Sequence, residues 1–168
     1  DANYLTFHRI NDFHTRTSAD SVPTPAPNAK RLPGDGWVLE GEGTEIARLE
    51  DGVKAFANRN YVWQNVPAAY RGWQFTRLRG GERVDLTVKA ERDVTLHLAT
   101  AIGQSANLNL DRWMPTAATF TYNDAGHTKL TILTRTLRAG EELWLPQGNW
   151  TGGLLLWPVT ETGNPGRP

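Results

Sequence analysis

The sequence predicts an all-β domain, an antiparallel β-sandwich of jelly-roll-like kind, and three observations carry that expectation. From Trp37 onward the apolar segments are short and bounded by turn residues. Almost none of them keeps a 3.6-residue period beyond two turns, as an amphipathic helix would. The clearest segment, "RVDLTVKAERDVTLHLAT" (83–100), alternates strictly: Val84, Leu86, Val88 and Ala90 recur at every second position, then Val94, Leu96 and Leu98 do the same. One apolar face at period two is what a half-solvated antiparallel strand requires. The tight "ERD" link between the two runs predicts a hairpin. At 168 residues, one domain with its own core is the expectation.

Taken in order, residues 1–36 read as an N-terminal arm and a proline-rich loop. "YLTFHRI" (4–10) has strand character, whereas "SADSVPTPAPNAKRLPGDG" (18–36) carries four prolines and two glycines and reads as an irregular connection. The sandwich is expected over 37–159. Its strands are predicted at "WVLE" (37–40), "EIARL" (45–49), "VKAFA" (53–57), "YVWQ" (61–64) and "GWQFTRL" (72–78), followed by the pair in 83–100. Further strands follow at "TAATFTYN" (116–123), "TKLTILTR" (128–135), "EELWLP" (141–146) and "GGLLLWPV" (152–159). Asp51-Gly52, Gly80-Gly81, "NDAGH" (123–127) and "RAGE" (138–141) supply turn residues between them. In "EELWLP" Trp144 must point away from Leu143 and Leu145. In "LLLWPV" both faces are apolar, which predicts a central strand with Trp157 in the core. The polar, Gly/Pro-rich "TETGNPGRP" (160–168) reads as a linker.

Charge and composition remove several functions. Eighteen basic and eighteen acidic residues leave no basic excess for nucleic-acid phosphates or an anionic membrane. With no cysteine there is neither a disulfide nor a thiolate. No apolar run approaches the roughly 20 residues that cross a bilayer, and "DANYLTFHRI" lacks the regions of a signal peptide. Glycosidase chemistry needs paired carboxylates, but Glu40, Glu42, Asp111 and Asp124 all sit in turn-like polar stretches. Ser18, Ser21 and Ser105 lack the context of a nucleophile. His8, Asp12 and His14 have no metal-ligand spacing, and His97, opposite Leu96 and Leu98, reads as a solvated polar position. "GDGWVLEGEG" (34–43) lacks the GK[ST] ending of a phosphate loop, and "NWT" (149–151) matches the glycosylation triplet. No cofactor is expected, although the acidic turns could supply oxygens to a structural calcium.

The aromatic residues stand out. Seven tryptophans occur, at positions 37, 63, 73, 113, 144, 150 and 157, and "RNYVWQNVPAAYRGWQF" (59–75) packs five rings and two arginines together. Tyr61 and Trp63 share one strand face, Trp73 and Phe75 another, and one of the two pairs should pack inward. An indole left at a strand end beside a loop offers a flat apolar face at low entropic cost. Such a face suits the C–H face of a sugar ring, with Asn60, Gln64, Asn65, Gln74 and Arg77 nearby to bond hydroxyls. "NLNLDRWMPT" (107–116) and "PQGNWTGG" (146–153) repeat the combination. The candidate ligand-binding residues are therefore Trp63, Tyr70, Arg71, Trp73, Arg112, Trp113 and Trp150, with plain core packing the alternative for each tryptophan. Single-stranded nucleic acid would use the same rings but needs a continuous basic groove.

Two segments, "DGVKAFANRNYVWQNVPAAYRGWQFTRLRGG" (51–81) and "DRWMPTAATFTYN" (111–123) with "RTLRAGEELWLPQGNWTGGLLLWPV" (135–159), resemble β-sandwich accessory domains of bacterial polysaccharide-degrading proteins. The resemblance is one of rhythm: a "Y-x-W-x-x-V-P" stretch before a "G-x-x-F" strand, then a "W-x-P" loop and a closing "A-G-E/T" hairpin. It implies a noncatalytic carbohydrate-binding module of a secreted enzyme, with a polysaccharide and the parent catalytic domain as its partners. It implies no catalytic residue. The rival expectations are a structural sandwich that docks on a catalytic neighbour, and a small polysaccharide-active enzyme.

Overall fold

A computed structural model describes residues 31–82, 84–103, 108–147 and 153–159. Among these the chain forms strands and one short 3₁₀ turn at Ala68–Tyr70. The strands make two sheets. The smaller runs β1 (Arg31–Pro33), β2 (Trp37–Glu40), β6 (Val84–Ala90), β10 (Glu142–Gln147). The larger runs β3 (Thr44–Arg48), β5 (Gln74–Leu78), β11 (Leu154–Trp157), β7 (Val94–Thr100), β9 (Lys129–Leu137), β8 (Met114–Tyr122), β4 (Trp63–Gln64). Every pairing between these strands is antiparallel, and the fold is an all-β sandwich.

The expected hairpin over 83–100 is corrected. β6 pairs with β2 and β10 in one sheet, while β7 pairs with β11 and β9 in the other. The link at 91–93 is thus an arch between sheets. Alternation cannot tell the two arrangements apart, because an arch also needs one apolar face per strand, but directed at each other across the core. Leu86 and Val88 of β6, and Leu96 and Leu98 of β7, are accordingly all buried. The "RAGE" link is likewise an arch, from β9 in the large sheet to β10 in the small one. The proline-rich stretch, expected to be irregular to residue 36, ends in the edge strand β1, where Leu32 pairs with Leu39. Pro33 is tolerated there because an edge strand need not donate on its outer side. Residues 53–57 make isolated bridges rather than the expected strand: Lys54 to Val62 and Phe56 to Leu78. The expectations for 1–30 and 160–168 lie outside the described residues.

The large sheet is apolar on both faces. One face, with Leu96, Leu98, Leu133, Leu155 and Trp157, meets Trp37, Leu39, Leu86 and Val88 of the small sheet, and Trp37 stands edge-on to Trp157 with ring centroids 5.0 Å apart. The other face closes on itself. Trp63 at one margin lies 5.6 Å from Phe75 near the opposite margin, and 5.0 Å from Phe120. The sheet is therefore curled until its two ends share rings. The segment between β3 and β4 seals the seam: Ala57 N–H donates to the Leu78 carbonyl at 2.9 Å, and Val62 N–H to Asn123 Oδ1 at 2.8 Å. Leu154, Leu155 and Leu156 of β11 are all buried, as expected of a central strand, and Trp157 is in the core.

Candidate functional site

Where β11 ends, the large sheet splits. Trp157, the last residue of β11, pairs with Gln74 of β5, whereas β7 joins β11 only from His97 onward, where His97 faces Leu156. Val94, Thr95 and Leu96 therefore have no neighbour on the β11 side, and the chain leaves the sheet at Pro158. A cleft of about 250 Å³ opens there. Trp73 forms one wall, and Thr95 and His97 of β7 with Asp93 form another. Trp37 and Trp157 contribute the apolar floor, and Asp35 with Arg92 closes the side nearest the small sheet.

Local bonding explains why Trp73 stands at this rim. The 3₁₀ turn is held by Tyr70 N–H to the Pro67 carbonyl at 2.9 Å, and Trp73 N–H then bonds the Tyr70 carbonyl at 3.2 Å. Gly72 turns the chain with φ of 81°, a left-handed conformation that a residue with a Cβ adopts at a cost. Its N–H bonds the Leu49 carbonyl, and Leu49 N–H bonds the Trp73 carbonyl, so the approach to β5 is tied down on both sides. Asp51 completes the brace by accepting from Val66 N–H at 2.9 Å and from Arg71 Nη2 at 3.2 Å, while Arg71 Nε donates to the Val66 carbonyl.

The rings then meet. Trp73 is half-buried, edge-on to Tyr70 at 4.8 Å and to His97 at 5.0 Å. Burial pushes the His97 imidazole below its ordinary value of 6.5, which keeps it neutral at pH 7 with one ring nitrogen donating and one accepting. Thr95 and Thr136 hydroxyls lie 3.4 Å apart on adjacent strands. Asp93 accepts from Ala139 N–H through Oδ1 at 2.9 Å, which fixes the carboxylate at the mouth of the arch. Arg92 is paired with Asp35. The result is an indole ring beside hydroxyl, imidazole and carboxylate groups.

The structure divides the sequence-derived candidates. Tyr70 and Trp73 come together, and Arg71 lies beside them as a brace whose guanidinium is bonded to Asp51. Trp63 is 0 % exposed and walled in by Phe75, Phe120 and Tyr122. Trp113 is 5 % exposed in the core cluster. Neither ring has a face to offer a ligand, because the curl of the large sheet and the hydrophobic core enclose them, so both are corrected to core residues. The Nε1 groups of both lack a hydrogen-bond partner among the described residues, which fits apolar packing and not recognition. Arg112 sits exposed at a left-handed position, φ 68°, and does not line the cleft. Trp150 lies outside the described residues. His97, expected to be a solvated polar residue, is half-buried, because the second face of the sheet is packed as well. Asp35, Arg92, Asp93 and Thr95 carried no signal in the sequence, since all four reach the cleft from links or strand starts that ordinary polar residues occupy.

The carboxylates considered for catalysis are distributed over different elements. Glu40 pairs with Lys89 on the outer face of the small sheet, and Asp124 holds the β8–β9 turn through Thr128 N–H and Oγ1, both at 2.6 Å. Among the described residues no group of three His, Cys, Asp or Glu side chains is placed to hold a metal ion, and no helix is long and apolar enough to cross a membrane.

No family model and no curated protein matches the sequence. Among solved structures, the fold is similar to part of a β-glucuronidase from glycoside hydrolase family 2, with a TM-score of 0.53 and 11 % identity over 77 % of this chain. It is also similar to part of a glycoside hydrolase family 138 enzyme targeting pectin rhamnogalacturonan II, with a TM-score of 0.48 and 15 % identity over 83 % of this chain. The chain spans 15 % and 17 % of the length of those two chains.

Proposed function

We propose that this domain is a noncatalytic carbohydrate-binding module that holds a polysaccharide for an attached, secreted degrading enzyme. The half-buried Trp73 ring in a cleft bordered by Thr95, His97, Asp93 and Asp35 carries this reading. A sugar presents an apolar C–H face and a belt of hydroxyls, and the cleft supplies an aromatic wall for the first and short polar side chains for the second. Its volume of about 250 Å³ falls below the roughly 300–1,000 Å³ of drug-sized sites, so it suits one or two sugar rings, as at a chain end or side branch, more than a length of polymer. The fold similarity to part of a β-glucuronidase from glycoside hydrolase family 2, of which this chain spans 15 % of the length, supports the same reading at a coarser level.

Affinity electrophoresis across a polysaccharide panel tests the proposal, with Trp73→Ala beside the parent. A stacked ring contributes on the order of 1–2 kcal/mol, so the substitution should weaken binding by about tenfold or more. Retardation of the parent by none of the polymers, or equal retardation of parent and Trp73→Ala, would end the reading. Release of reducing sugar that Asp93→Asn abolishes would replace it with an enzyme.

A further inference from the structure

Resting on the sugar-binding reading of the cleft, we propose that the site selects neutral glycans and rejects uronates. Charge, and the way the charges are held, sets this selectivity. Two carboxylates, Asp35 and Asp93, line the cleft against a single guanidinium, that of Arg92. Recognition of a sugar carboxylate calls for a guanidinium whose fork is open to it. Arg92 is already committed to Asp35.

That commitment is built into the fold. Asp35 belongs to the β1–β2 turn and Arg92 to the β6–β7 arch, and the two are bonded to each other through Glu91 N–H and the Gly36 carbonyl at 3.0 Å. Gly36 itself has φ of 80°, and a Cβ there would run into the Arg92 side chain. The guanidinium thus lies across a glycine backbone that leaves room for it beside Asp35. The other arginines around Trp73 are matched in the same way: Arg71 with Asp51 at 3.2 Å, and Arg48, which packs over Gly72, with Glu50 at 3.3 Å. A uronate entering the cleft would meet the Asp93 carboxylate and an arginine whose charge Asp35 already balances, and like charges repel. The hydroxyls of a neutral sugar meet only acceptors and donors they can satisfy: carboxylate, threonine hydroxyl and neutral imidazole.

Titration of the whole chain at low salt with neutral hexasaccharides (cello-, manno- and galacto-series) and with oligogalacturonate of the same length tests the inference. Some member of the neutral set should bind at least about tenfold more tightly than oligogalacturonate. Asp35→Asn, which releases Arg92 and removes one negative charge, should narrow that ratio by raising affinity for oligogalacturonate. Oligogalacturonate bound as tightly as the best neutral ligand, and weakened by Trp73→Ala, would overturn the charge selectivity while leaving the stacking site standing. Absence of binding by both classes would instead remove the sugar-binding reading and this inference with it. An unchanged ratio in Asp35→Asn protein that melts like the parent would show that the Asp35–Arg92 pair is not the cause.

Discussion

Trp63 and Trp73 are ten positions apart in one aromatic-rich stretch, yet they face opposite fates. Trp63 is enclosed by three rings, whereas Trp73 touches Tyr70 and His97 and lines the cleft. Their neighbours decide this, since both are tryptophans at strand starts. His97 gives the site a pH dependence whose sign follows from burial. Its folded-state value lies below the ordinary 6.5, because desolvation disfavours the imidazolium. The unfolded chain therefore binds a proton first as pH falls, and stability declines from about pH 6.5 down to the depressed folded value. Asp93, Asp35 and Arg92 are the charged groups that line the same cleft. Thermal melts between about pH 5 and 7.5 should show the parent losing more stability on acidification than His97→Gln. Parallel curves would show that the imidazole is not desolvated.

Strands in this molecule are short, and side chains complete what backbone pairing leaves open. β11 makes only two residue pairs with β5, at Leu156–Phe75 and Trp157–Gln74, and the next N–H, that of Leu155, donates to the Thr76 hydroxyl at 2.9 Å. Thr76 is 0 % exposed, so this bond holds the central strand inside the core, where water cannot substitute for it. Thr76→Val keeps the shape and removes the acceptor. It should cost about 1–3 kcal/mol, the penalty for a buried donor left unsatisfied, read as a lower urea midpoint at unchanged slope. Thr76→Ser, which keeps the hydroxyl, should retain more of the stability than valine does. Strand existence at this scale was legible from period two, and both members of the 83–100 pair stand within two residues of expectation. Their partnership was not, because Val84, Leu86 and Val88 would alternate in the same way in a hairpin as in an arch.

Closure of the large sheet is the property that belongs to the whole molecule. Its margins are joined by Trp63 against Phe75, by Phe56 against Tyr122 at 5.4 Å, and by a pair of bonds between Asn58 and Gly80 at 2.8 and 3.2 Å. Trp63 is the largest fully buried side chain on that seam. Trp63→Ala should therefore destabilise the fold by roughly 3–5 kcal/mol, the range for removing a large aromatic from a core, measured by chemical denaturation. Conditions in which the variant remains folded should leave its sugar affinity near that of the parent, since the ring does not reach the cleft. A specific loss of binding without loss of stability would contradict its placement.

Alternation and turn residues were enough to determine an all-β sandwich with a central "LLLW" strand. Local periodicity is a property of neighbouring residues, so it survives without knowledge of the fold. The candidate site is different in kind. It draws Asp35 from a turn, Arg92 and Asp93 from an arch, Thr95 and His97 from one strand and Trp73 from the start of another. Pairing within the large sheet and packing of the small sheet against it bring these together. Which indole stays open and which arginine is already matched depends on contacts between residues tens of positions apart, and only the tertiary structure holds that information.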